Sequence, residues 1–98
     1  MSQPASEKPE SGMEVLKLLK REGVPEIILY MYEQKTARYS ELKTVLKSEA
    51  TLVRVLKLLT EEGILSRELL DEKYRPTEYT ITEKGERIGK RLKELLEV

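Results

Sequence analysis

The side chains here best placed to do chemistry are cations on one periodic helix. Between Glu49 and Glu62, Leu52, Val55, Leu56 and Leu59 recur at helical spacing and form one apolar stripe. With that stripe turned inward, the outward positions are Glu49, Ala50, Thr51, Val53, Arg54 and Lys57. A guanidinium such as that of Arg54 forks onto a guanine edge, and a threonine such as Thr51 meets a thymine methyl or a phosphate. Lys57 neutralises phosphate. Ala50 and Val53 offer only apolar contact, and Glu49 repels phosphate unless it accepts from a cytosine amino group. The bland alternative for Arg54 and Lys57 is a solvated helix face bridged to nearby acids.

Other chemistries find little support. The sequence has no His, so the usual metal ligand and neutral-pH general base are missing. It has no Cys, which removes disulfides and thiolate sites. There is no glycine-rich phosphate loop and no carboxylate set at metal spacing. An enzyme is therefore not expected, and neither a cofactor nor a metal is implied. Charged residues are 37% of the chain, 18 basic against 18 acidic. That neutrality counts against a nonspecific coating of chromatin but permits one basic face. The Lys and Glu richness, with no Asn, suggests a thermophilic, archaeal source, since ion-pair networks gain value with temperature. An ordinary, very soluble helical protein is the alternative.

The elements that must hold these cations follow from local signals. Residues 1–12 are polar, with Pro4 and Pro9, and read as a disordered tail. Ser11 could cap a helix over Met13–Glu22 that Gly23 ends, and Pro25 suits the first turn of a second through Gln34. Ala37–Tyr39 is a candidate strand. Ser40 then caps a short helix with Leu42, Val45 and Leu46 inward, and Ser48 caps the helix that carries Arg54. Gly63 supplies the left-handed stop. From Ile64 to Thr82 the pattern is a two-stranded hairpin, with Tyr79 and Ile81 alternating against Glu78, Thr80 and Thr82. Its turn, Asp71 to Pro76, carries Lys73 and Arg75, placed to reach phosphates or the minor groove. Thr82 caps a last helix over residues 83–97. Residues 13–98 thus form one domain: N-terminal helices (13–34), helix-turn-helix (40–62), wing (64–82) and C-terminal helix (83–97). The fold class is α+β, mostly α, a winged helix-turn-helix with extra helices at both ends. Arg38, Ser40 and Lys43 lie where the first helix of the motif abuts a nucleic-acid backbone, and Lys47 in the turn is similarly placed. Tyr30, Tyr32, Tyr39 and Tyr79 read as core or interface residues, whereas Tyr74 sits at the wing tip.

The run EEGILSRELLDEKYRPTEYTITEKGERI resembles the wing of HxlR and MarR-like transcriptional regulators. It carries their acidic pair, glycine and two aliphatics (Glu61, Glu62, Gly63, Ile64, Leu65), then Tyr79, Ile81, Thr82 and Gly85. Ala37 to Leu42 resembles the segment leading into the first helix of the HxlR motif. The likeness covers roughly Val24 to Leu92. It implies a transcriptional regulator on double-stranded DNA, with the outward positions of the Arg54 helix facing the major groove. The cysteine many HxlR-like proteins carry near the N-terminus is absent, so thiol sensing is not implied.

Two further expectations complete the reading. Leu16 and Leu19 on the first helix, with Ile88, Leu92, Leu95 and Leu96 on the last, form apolar faces suited to a homodimer; the alternative is that both helices close the monomer core. No apolar run reaches membrane-spanning length and no signal core follows Met1, so a soluble, cytoplasmic protein is expected. The competing function is a winged-helix protein-interaction module, favoured by neutral charge, Glu49, and exposure of Val53 and Leu58.

Overall fold

The structure is a computed structural model and describes residues 12–69 and 77–98. Five helices and three strands run in the order α1 (Gly12–Leu19), α2 (Val24–Gln34), β1 (Thr36–Arg38), α3 (Tyr39–Leu42), α4 (Glu49–Glu61), β2 (Leu65–Leu69), β3 (Thr77–Ile81) and α5 (Glu83–Leu96). The fold is α+β, mostly helical, with one small antiparallel sheet of order β1-β3-β2. β3 lies at its centre, with Ala37 opposite Tyr79 on one side and Arg67 opposite Tyr79 on the other. The tail lies outside the described residues except for Gly12, and so does the hairpin turn with Lys73, Tyr74 and Arg75.

The core collects the stripes of α2 and α4 against the sheet. Ile27, Ile28 and Met31 of α2, Leu42 of α3, and Leu52, Leu56 and Leu59 of α4 are all buried, and Ala37, Leu65, Tyr79 and Ile81 close the cluster from the strands. Tyr30, Tyr32 and Tyr39 are half-buried and pack against it.

Local chemistry sets the ends. Ser48 Oγ accepts from the Thr51 N–H at 3.3 Å and starts α4. Gly63, at φ 77°, ends it. There the Ile64 N–H reaches back to the Leu59 carbonyl at 2.9 Å and the Gly63 N–H to Thr60 at 3.1 Å, the paired bonds of a Schellman stop. Thr82 joins three elements at once. Its hydroxyl accepts from the Gly85 N–H at 3.0 Å, starting α5, and faces the Gly63 and Ile64 carbonyls at 2.6 and 2.9 Å.

Three expectations are corrected here. Ser40 does not cap α3; it is an exposed residue inside that helix, which begins at Tyr39. The Arg38 N–H is taken by the Glu41 carboxylate at 2.7 Å, so the acid three residues on supplies the capping contact. The first strand is accordingly Thr36–Arg38, one residue earlier than expected, tied down by the Thr36 hydroxyl donating to the Tyr79 carbonyl at 3.0 Å. The first helix stops at Leu19, and Gly23, at φ 84°, is the N-cap of α2. A Cβ on Gly23 would come within 2.7 Å of the Leu46 side chain.

α5 does not stand clear of its own chain. Gly85 and Gly89 are buried on its inner face. A Cβ at Gly89 would lie 2.8 Å from Tyr32 Cβ, and one at Gly85 would strike the Ile64 carbonyl. The two glycines let the helix settle against α2 and the end of the sheet.

Candidate nucleic-acid interface

α3, the turn after it, and α4 form a helix-turn-helix, with β2 and β3 as the wing beside it. The two helices are tied at their starts, where the Tyr39 hydroxyl donates to a Glu49 carboxylate oxygen at 3.2 Å. Desolvation first, and then that hydrogen bond and the carboxylate's charge, push the Tyr39 phenol above its ordinary value. The phenol therefore stays a donor across the physiological range. Glu49 keeps one oxygen free of that bond.

Arg38, Lys43, Lys47, Arg54 and Lys57 are all exposed. None of them takes part in an ion pair among the described residues. No acid bridges Arg54 or Lys57 among the described residues, and both stand on a solvated face of α4. Ser40 is exposed beside them.

Thr51 departs from the expected outward set. It is 8% exposed and turned inward. It lies four residues before Val55, hence on the same side of the helix as part of the buried stripe. Its methyl abuts the Gly23 turn, 3.3 Å from where a Cβ there would sit. Removing it leaves Arg54 and Lys57 as the cationic outward positions of α4, with Val53 51% exposed.

These two cations flank the outward face of α4 rather than share one hollow. Arg54 lines a shallow depression by the α1–α2 turn with Arg21 and Glu22. Lys57 lines a groove between α4 and β2, and there it is joined by Arg67. Arg67 was not among the expected contacts. Strand alternation carries the signal that would have found it: residues 65, 67 and 69 share one face of β2, and Leu65 is buried in the core. Lys73 and Arg75 lie outside the described residues.

On the other side of the molecule, α1 and α5 line a second open groove of about 500 Å³ in which Leu16, Leu19, Ile88, Leu92 and Leu95 meet. Leu16, Leu95 and Leu96 are exposed, whereas Leu19, Ile88 and Leu92 are half-buried. The two helices are therefore neighbours within one chain, and their apolar faces form one surface. Leu58, expected to be exposed with Val53, packs partly against the core. Among the described residues no helix is long and apolar enough to cross a membrane, and no cluster of potential ligands is placed to hold a metal.

Comparison with known proteins agrees with this geometry. Residues 18–98 match the family model described as HxlR-like helix-turn-helix. Among solved structures, the chain is similar to the Salmonella typhimurium protein ytfH, described as a transcriptional regulator, at 28% identity and TM-score 0.73, covering 87% of this chain and 77% of that one. A protein of the MarR family of transcriptional regulators from Porphyromonas gingivalis is similar at 21% identity and TM-score 0.74, over 99% and 92% of the two chains. A mutant of MarR from E. coli, complexed with operator DNA, is similar at 19% identity and TM-score 0.62, over 97% and 79%. No curated protein sequence matches.

Proposed function

The chain belongs to the HxlR-like helix-turn-helix family of winged-helix transcriptional regulators, and from that membership we propose that it binds double-stranded DNA sequence-specifically as a homodimer. The observation that carries the reading is the pair Arg54 and Lys57, exposed on the second helix of the motif and free of ion pairs among the described residues. In this reading α4 enters the major groove, Arg54 reads a guanine edge, and Lys57 holds phosphate. Arg38, Ser40, Lys43 and Lys47 position the motif on the sugar–phosphate backbone, and Lys73 and Arg75 extend the contact through the wing. The likeness to a regulator complexed with operator DNA supports this placement.

Dimerisation would use the α1–α5 surface. Leu16, Leu95 and Leu96 are between 49% and 67% exposed, an apolar area that a second copy would withdraw from water. A two-fold pair would present its α4 helices to successive major grooves about 34 Å apart on a near-palindromic site.

The protein-interaction alternative is weakened by the packing of Leu58, which leaves Val53 alone of that pair well exposed. The deciding experiment is selection from randomised duplexes followed by a salt titration. If each subunit neutralises about four phosphates, log affinity falls against log salt with a slope of roughly −7. A slope near zero on the selected site would sink the DNA reading. Light scattering on the free protein tests the dimer.

A further inference from the structure

We propose that Glu49 reads a cytosine in the selected duplex, and that the Tyr39 hydroxyl holds its carboxylate in place to do so. Glu49 is the first residue of α4, in the turn from which a recognition helix meets base edges. It is exposed and enters no ion pair among the described residues. Val53, one turn further on and 51% exposed, continues the same side of the helix. The carboxylate is thus presented where the partner lies under the DNA reading above, on which this inference rests.

An unpaired acid at that place has a cost. Phosphates repel it, so it weakens every duplex alike unless the groove offers it a donor. A carboxylate can only accept. Guanine and thymine turn acceptors into the major groove, and the donors there are the amino groups of cytosine and adenine. Adenine sets its N7 acceptor beside that amino group, which an anion opposes; cytosine has no such neighbour. Cytosine is the base that fits.

Tyr39 makes the acceptor a directed one. Its ring packs against the core from the start of α3, and its hydroxyl donates to Glu49 Oε2 at 3.2 Å. Oε1 takes no part in that bond. A neutral donor fixes the side chain without cancelling its charge, and an ordered side chain loses less entropy on binding. Arg54 stands five residues on, about 7.5 Å along the helix axis, so the two side chains meet different base pairs. The plain alternative is that Glu49 serves the helix alone. An acid in the first turn of α4 complements the helix dipole, and the Tyr39 bond ties α3 to α4. That role is blind to DNA sequence.

The test is selection from randomised duplexes with the unmodified full chain, Glu49→Gln, Glu49→Ala and Tyr39→Phe, each with its fold checked by circular dichroism. The unmodified chain should require cytosine at one position for each bound subunit, any other base costing about ten-fold in affinity. Glu49→Gln should move the preference at that position to adenine, whose N6 and N7 a glutamine amide matches, and leave the other positions unchanged. Glu49→Ala should flatten that position alone. Tyr39→Phe keeps the ring and should cut the discrimination to about three-fold. A selected duplex with no position that depends on Glu49, or an equal change at every duplex with Glu49→Ala, overturns the assignment and leaves the DNA reading standing. Undiminished discrimination with Tyr39→Phe overturns the positioning role of the tyrosine. Failure to select any duplex overturns the DNA reading, and the Glu49 assignment with it.

Discussion

Charge is handled differently on the two sides of this molecule. Along the seam between α2 and α5, cations are matched within the chain: Lys93 lies 2.5 Å from Glu33 and Lys35 lies 3.2 Å from Glu86. Lys35 also places its ammonium 4.6 Å from the centre of the Tyr32 ring. From the end of β1 through the turn after α3, and on α4 and β2, by contrast, Arg38, Lys43, Lys47, Arg54, Lys57 and Arg67 are exposed and enter no ion pair among the described residues. A chain with 18 cations and 18 anions has acids enough for more pairs than these. The difference teaches that net charge says little about partners, whereas the placement of the unmatched cations says a good deal.

The contrast is sharpest if changes on one side cost binding and changes on the other cost stability. The largest effect is expected from Arg54→Ala with Lys57→Ala. A guanine-reading arginine is worth about 1–3 kcal/mol, and a phosphate-holding lysine lowers the salt slope by about one. The pair should therefore weaken the selected duplex by at least about ten-fold and flatten the slope. Melting should stay nearly unchanged, because exposed substitutions move stability by about 0.5 kcal/mol or less. A large fall in melting temperature would mean these side chains hold the fold, and the contrast would fail.

Next comes Gly85→Ala. Its Cβ would meet the Ile64 carbonyl, a backbone atom, and lie 2.7 Å from Ile81 Cγ1. Overpacking of this kind costs about 1–3 kcal/mol, or roughly 4–8 °C of melting temperature for each kcal/mol in a domain of this size. Duplex affinity measured well below the melting transition should be little altered. A variant that melts normally would show that α5 shifts freely over the end of the sheet.

Thr82→Ala should cost about 1–2 kcal/mol, since it removes the α5 cap and the contact to the Gly63 and Ile64 carbonyls together. Thr82→Ser keeps the hydroxyl and should recover most of the loss in chemical denaturation. If serine does no better than alanine, the methyl group rather than the bond is what matters at this junction.

How legible these regions were in the sequence follows the same division. The stripe of α4 and the Schellman stop at Gly63 depend on residues within one or two turns, so spacing and residue type reveal them. Thr51, a polar residue beside a leucine stripe, reads as outward, although its four-residue offset from Val55 sets it on the core side. Ser40 reads as a cap because serine is a favoured one, whereas the deciding bond belongs to the Glu41 side chain. Arg67, a single cation in a strand, has no local signature; only the approach of α4 gives its groove a second wall. Gly85 and Gly89, four apart on one face of α5, are explained by Ile64 and Tyr32, partners distant in sequence. Unmatched cations are likewise a tertiary property, since the same lysines would read as paired or free until the helices are assembled.

The smallest effect is expected at the seam itself and turns on pH. The hydrogen bond to Glu33 first, and then the charge of that carboxylate, raise Lys93 above the ordinary lysine value. A raised folded-state value means that folding favours the protonated amine. The contribution is fully present below the unfolded value, about pH 10.4, and is lost as pH rises through the higher folded value. The Lys93 side chain is 43% exposed, so solvent screens the pair and its effect on melting should be no more than a degree or two at low salt. Comparing the unmodified protein with Lys93→Met, the melting difference should hold constant from about pH 6 to 9, shrink above about pH 10.5 and fall with added salt. A difference that persists undiminished at pH 11 would come from the packing of the lysine's methylene stem rather than its charge. The matched side of the molecule would then be held by contact, and the contrast in charge would survive only around α3, α4 and β2.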